Sequence, residues 1–150
     1  MTALQTYPTL ETLRVADAMH PGLISCSPDT PLRTVARMMA MYRVHAILVT
    51  AHGAEELPGG GVWGVISDTD LLRAVQAGDI DEEASRALAS APVLTVTTND
   101  ALGHAAQLMA DHDIAHLIVA EPRTARPIGV LSTLDVARAL AGFPETHPIR

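Results

Sequence analysis

Apolar and polar residues alternate along the chain in a pattern that is written twice. Residues 23–27 (LISCS) and 93–97 (VLTVT) are β-rich and alternating, which predicts a strand in each. Residues 30–42 carry apolar side chains at 32, 35, 36, 38 and 39, one face of a helix, with Thr30 as the expected N-cap and Pro31 at the first helical position. Residues 100–112 repeat that helix, with Asp100 as the expected cap. HAILVT (45–50) and AHLIVA (115–120) are near-continuous apolar runs, hence buried strands, and VWGVIS (62–67) and PIGVLS (127–132) are third strands. Two closing helices, 68–78 and 133–142, each run to a glycine. A short helix precedes each set, at 13–20 and at 81–90. The expected order is helix, strand, helix, strand, strand, helix, twice over.

The two sets align in detail. Residues 23–50 fall on 93–120 without a gap, at an offset of 70. Only 5 of the 28 columns are identical, but 13 are apolar in both copies, so the shared property is the pattern of burial. GVISDTDLLRA (64–74) and GVLSTLDVARA (129–139) then recur at an offset of 65. The difference comes from a longer first loop around ELPGGG (56–61), read as a flexible hairpin-like connection, and insertions collect in such surface loops. With 150 residues the chain suffices for one compact domain or for two small halves sharing a core.

Composition narrows the function classes. Hydrophobic residues make up 48% and aromatic residues 3%, so the core must be Ala, Val, Leu, Ile and Met. No apolar run approaches the roughly 18 residues of a membrane span. Residues 1–14 lack the basic start and apolar stretch of a secretion signal. The one cysteine, Cys26, precludes an internal disulfide and fits a reducing compartment, so a cytoplasmic location without a membrane partner is expected. A net charge of −7 argues against nucleic acid as a partner over a broad surface and leaves room for a local anion site. All ten basic residues are arginines, which removes P-loop and Schiff-base lysines from consideration.

The repeat resembles a tandem pair of cystathionine-β-synthase-type (CBS) domains, a Bateman module, over roughly residues 13–142. The residues that carry the resemblance are Asp17–Met19, the Pro-Asp-Thr-Pro-Leu turn at 28–32, and the two Gly-Val-x-Ser-x-x-Asp lines. The resemblance implies an α/β fold of two pseudo-symmetric motifs, β-α-β-β-α each with a short leading helix, packed sheet to sheet. It divides the chain into an N-terminal tail (1–12), a first motif (13–78), a second motif (79–142) and a C-terminal tail (143–150). It further implies a stand-alone, non-enzymatic regulatory module, homodimeric, that binds an adenosyl ligand (AMP, ADP or ATP-like) between its motifs and signals to an effector protein. No cofactor is required beyond that possible adenine nucleotide. The competing reading is a ligand-free dimerisation or protein-interaction scaffold. A small hydrolase using Cys26 or a histidine is the poorest reading, since no base is identified for the thiol.

The Ser-x-x-Asp lines have the chemistry for such a ligand. Ser67 and Ser132 fall where a strand turns into a helix, where backbone N–H groups point outward and the helix dipole favours an anion. Asp70 and Asp135, on the first helical turn, can accept both hydrogens of a ribose diol. The same residues also spell an N-cap that needs no ligand. Gly64 and Gly129 let the strand approach a neighbour or ligand closely. By the resemblance, the adenine pocket maps to Ile24–Cys26 and Leu94–Val96, naming Ile24, Cys26, Leu94 and Val96, and His45 and His116 take the place of a basic residue that faces phosphate. Family members often carry a basic residue between the serine and the aspartate, whereas this chain has Asp68 and Thr69 in one copy and Thr133 and Leu134 in the other. A carboxylate about 4 Å from a phosphate costs on the order of 1–4 kcal/mol, which predicts better occupancy at Ser132 and Asp135 and weakens an ATP reading relative to AMP, ADP or an uncharged adenosyl compound. Arg73 and Arg138 match across the repeat and can pair with the aspartates at i,i+3, although solvation is the simpler reading. His112 and His116 have i,i+4 spacing but fall on different elements, so no metal site is expected. Helices rich in Ala and Met, such as 32–41, expose more apolar surface than one pair covers, which predicts a homodimer.

Overall fold

A computed structural model describes residues 9–51, 61–88 and 93–142. The loop expected around 56–61 lies almost wholly outside the described residues, as do the ends of both tails. The elements in chain order are α1 (Val15–Ala18), β1 (His20–Pro21), β2 (Ser25–Cys26), α2 (Leu32–Tyr42), β3 (Ala46–Thr50), β4 (Val62–Ser67), α3 (Asp68–Ala77), a 3-10 turn (Ala84–Ala87), β5 (Thr95–Thr97), α4 (Leu102–His112), β6 (His116–Ala120), β7 (Pro127–Ser132) and α5 (Thr133–Leu140). The third strands span the residues that the sequence pattern predicts, and the first strands are shorter than expected.

The repeat is a repeat of register. One sheet has the order β2-β3-β4, the other β1-β7-β6-β5, so β5-β6-β7 reproduces β2-β3-β4. In both, the first strand is parallel to the second and the second antiparallel to the third. Cys26 sits opposite Val49 as Val96 sits opposite Val119, and Val49 opposite Gly64 as Val119 opposite Gly129. Even the irregularity falls at the same place, between Val49 and Thr50 and between Val119 and Ala120. The two halves are therefore one α/β design used twice.

The leading segments cross over. Val15, Ala18 and Met19 of α1 pack with Val96, Leu102, Leu117 and Leu131, the core of the second half. Ala84 and Ala87 pack with Leu32, Val35, Ile47 and Ile66, the core of the first. This exchange overturns both expected helix caps. The helix after Thr30 has Pro31 as its N-cap, and the helix after Asp100 has Ala101, neither with a side-chain bond. The orphan N–H groups at each start are taken by carbonyls of the crossed-over segment instead. Leu32 and Arg33 N–H donate to Glu82 and Ile80 O, and Leu102 and Gly103 N–H donate to Leu13 and Leu10 O. Thr30 and Asp100 hold the preceding turns: Thr30 Oγ1 pairs with Ser27 Oγ at 3.0 Å, and Asp100 Oδ2 accepts Thr97 N–H at 2.9 Å. Each half thus supplies the helix-start acceptors of the other, which ties the halves together along both leading segments.

Candidate ligand-binding site

The two Ser-x-x-Asp lines adopt the same local structure. Ser67 and Ser132 are the N-caps of α3 and α5 in extended conformation, because the strand must end before the helix can begin. Ser67 Oγ accepts Asp70 N–H at 3.1 Å and Asp70 Oδ2 accepts Ser67 N–H at 2.9 Å. Ser132 and Asp135 do the same at 3.1 and 2.8 Å. Each line is a reciprocal capping box that uses one carboxylate oxygen and leaves Oδ1 for something else.

What Oδ1 meets separates the two copies. Asp135 is buried, 4% exposed, and its Oδ1 lies 2.7 Å from His20 Nδ1. His20 arrives on β1, which pairs with β7 through His20 opposite Val130 and Pro21 opposite Gly129. Gly129 permits this approach, since a Cβ there would run into the His20 carbonyl and the Met19 methyl. Asp70 Oδ1, by contrast, faces Arg73 Nη1 at 3.9 Å, beyond hydrogen-bond reach. Residues 89–92, which follow the second leading segment, lie outside the described residues. Among the described residues, Ser132 and Asp135 are covered by β1, the chain's own first strand, whereas Ser67 and Asp70 line a cavity.

The open copy lines a cavity of about 460 Å³ between the halves. Trp63, Val65 and Ser67 of β4, Thr69, Asp70 and Arg73 of α3, and Leu88 form one side; Val93, Leu94, residues 113–116 and Ile118 form the other. Of the sequence candidates, the cavity gathers Ser67, Asp70, Leu94 and His116. His45 is outside its lining and holds Asp68 instead, Nδ1 to Oδ2 at 2.9 Å. Ile24 and Cys26 pack against the first core, Val96 is buried in the second, and none of the three lines the cavity. Leu94 reaches the mouth because it precedes β5, whereas Val96 lies two residues deeper along the strand.

The electrostatics of the cleft are set by burial and by two short bonds. Burial pushes the His116 imidazole below its ordinary range, outweighing the pull of Asp68, Asp135 and Asp70, while His45 acts in the same direction as burial. His116 is therefore neutral near pH 7. The bond from His45 holds the Asp68 carboxyl below its usual range, so Asp68 stays ionised. Burial raises the Cys26 thiol against the opposing bond with Thr30, which keeps it protonated and unreactive. His112 Nδ1 bonds the Leu108 carbonyl at 3.0 Å, as a helix-end side chain does. Among the described residues no group of three His, Cys, Asp or Glu could hold a metal ion, and no helix is long and apolar enough to cross a membrane.

Sequence reasoning missed Trp63, Leu88, Val93, Asp113 and Ile114. The first had a readable signal. On a strand with period two, the side that carries Ser67 also carries 65 and 63, so the chain's one tryptophan was already on the ligand face of VWGVIS. The others come from loops and strand mouths brought in by the second half, which no local period announces.

The CBS domain family model matches residues 15–77 and 84–142. No curated protein matches the chain. A CBS domain protein from Pyrobaculum aerophilum complexed with AMP is 30% identical, with 86% of this chain and 95% of that chain covered and a TM-score of 0.72. The CBS domain pair of protein MJ0100 in complex with 5′-methylthioadenosine and S-adenosyl-L-methionine is 15% identical over 87% of this chain and 97% of that chain, with a TM-score of 0.72. The CBS domain of the bacterial CNNM/CorC family Mg2+ transporter in complex with ATP is 17% identical over 89% and 91%, with a TM-score of 0.71. Two matched stretches, one register used twice, and a 30% identical relative covered almost end to end place this chain in the CBS-domain family, as a pair of CBS domains.

Proposed function

We propose that this CBS pair is a regulatory, non-catalytic module that binds an adenosyl compound in the cleft at Ser67 and Asp70 and conveys the changed geometry to a partner protein. The observation that carries this reading is Asp70: a carboxylate already oriented by its cap through Oδ2, in the lining of a cavity of about 460 Å³, a volume in the range of small-molecule sites. In this reading Oδ1 accepts the ribose diol and the Ser67 hydroxyl, whose lone pair is used by the cap, donates its O–H to the ligand. Leu88, Val93, Leu94 and Ile114 supply apolar walls, and Trp63 a face for the base. The AMP, ATP, methylthioadenosine and S-adenosylmethionine held by similar structures support the adenosyl class.

Trp63 supplies the test. It is the only tryptophan and is 53% exposed at the rim of the cleft. Titration with adenosine, AMP, ATP or S-adenosylmethionine is expected to give a saturable change in tryptophan emission, shifted to the blue as the indole loses water. Trp63→Phe should abolish the signal while a thermal shift with the same compound remains. If no adenosyl compound moves either signal, the second reading takes over. A ligand-free scaffold is favoured by the capping boxes themselves, which are complete without a ligand.

Self-association belongs to either reading. Met41, Tyr42, Leu72 and Leu140 are exposed apolar side chains on helices α2, α3 and α5, and covering them on a second copy is the expected use of such a surface. Sedimentation at about tens of micromolar, where interfaces of ordinary size are populated, is expected to give the dimer mass. A monomer throughout that range would rule the dimer out.

A further inference from the structure

We propose that the cleft at Ser67 and Asp70 selects an adenosyl compound without phosphate, a neutral or cationic nucleoside derivative, because the chain has placed its own carboxylates where phosphate would go. This rests on the adenosyl reading above and narrows its ligand class. Three observations carry it.

The first is the helix start. The N-terminus of α3 is where a phosphate would find free N–H groups, and its first three are occupied. Asp68 N–H donates to His45 O at 2.9 Å, Thr69 N–H to Asp68 Oδ1 at 2.8 Å, and Asp70 N–H to Ser67 Oγ at 3.1 Å. Asp68 is thus a built-in anion on the helix dipole, fixed on its other oxygen by His45. Asp68 stands next to the cavity lining, between Ser67 and Thr69, so a phosphate drawn to this helix start would settle beside its charge and that of Asp70.

The second is the opposite wall. Asp113 lines the cleft as the left-handed C-cap of α4, with φ 51°. Its counterpart in the repeat is Arg43, the left-handed C-cap of α2, with φ 55°. The fold holds the same backbone conformation at both places, and the open cleft has the acidic residue. Two positions on, the cleft has Ala115 where the first half has His45.

The third is the balance of charge. Among the described residues the charged groups lining the cavity are Asp70, Asp113 and Arg73, with Arg73 drawn to Asp70 at 3.9 Å. His116, the remaining titratable group there, is neutral for the reason of burial given above. Two carboxylates and one partnered guanidinium make the wall net negative, which repels a polyphosphate and attracts a sulfonium or ammonium group.

Calorimetry on the intact chain tests this with adenosine, 5′-methylthioadenosine and S-adenosylmethionine against AMP, ADP and ATP. The uncharged or cationic compounds are expected to bind at least about tenfold more tightly than ATP, with AMP between them. Asp68→Asn, which keeps an oxygen for the Thr69 N–H, should raise ATP affinity by about threefold or more and leave 5′-methylthioadenosine unchanged; Asp68→Arg should raise it further. AMP or ATP binding as tightly as the uncharged compounds in the natural chain would overturn the inference while leaving the adenosyl reading intact. Failure of all six compounds to bind would remove the adenosyl reading, and this inference with it.

Discussion

Gly129→Ala is expected to unseat the N-terminal strand and to lower stability by about 2–3 kcal/mol, the cost of forcing a methyl group into a packed contact. A Cβ at this position meets the Met19 methyl and the His20 carbonyl oxygen. The methyl can swing aside. The carbonyl cannot, because His20 and Pro21 are held in register against Val130 and Gly129. Relief therefore requires β1 to leave β7, and with it the close approach of His20 to Asp135. Gly64, the counterpart in the other line, makes the natural control. A Cβ there meets Leu88 Cδ2 at 2.8 Å, the tip of a flexible side chain. Gly64→Ala should cost under about 1 kcal/mol, since a side chain can change rotamer where a paired backbone cannot. Urea denaturation of the two variants decides the matter. Equal losses would mean that the close approach of β1 is not what the glycine at 129 serves.

The paired design of the fold was legible because it is written in burial. Ile47, Ile66, Leu117 and Leu131 are fully buried, and each lies in a run that the apolar pattern marks as a buried strand. The third strands and the capping serines also follow from local signals, a period of two running into a Ser-x-x-Asp start. What the pattern does not carry is the crossing of the leading segments. Val15 and Ala84 are apolar in any arrangement, and nothing local says that each packs on the half other than the one it leads. From that one non-local fact come the two misplaced caps, since Thr30 and Asp100 were assigned to helix starts that backbone carbonyls from the other half already serve. The ranking of the two lines rests on the charge of Asp68 alone, because a short two-residue strand with weak sequence character is what brings His20 onto Asp135. Partners that come from far along the chain give two matched motifs different surroundings.

The same substitution in the two matched aspartates should accordingly give opposite phenotypes. Asp135→Ala removes the acceptor for Ser132 N–H and the buried carboxylate that lies 2.7 Å from His20 Nδ1. A hydrogen bond to a charged group is worth about 1.5–3 kcal/mol, so a loss of about 2–3 kcal/mol in folding stability is expected. Adenosyl affinity should change by less than about twofold, because on this reading Asp135 does not touch the ligand. Asp70→Ala removes one capping bond from a half-exposed helix start, at about 1 kcal/mol in stability. It should weaken adenosyl binding by about 10- to 100-fold, the equivalent of one or two hydrogen bonds from a ribose diol to a carboxylate. Denaturation and calorimetry on both variants separate the effects. If Asp135→Ala costs as much affinity as Asp70→Ala, then ligand displaces β1 and both clefts are used. If neither changes affinity, the ribose is held elsewhere and the role given to Asp70 fails.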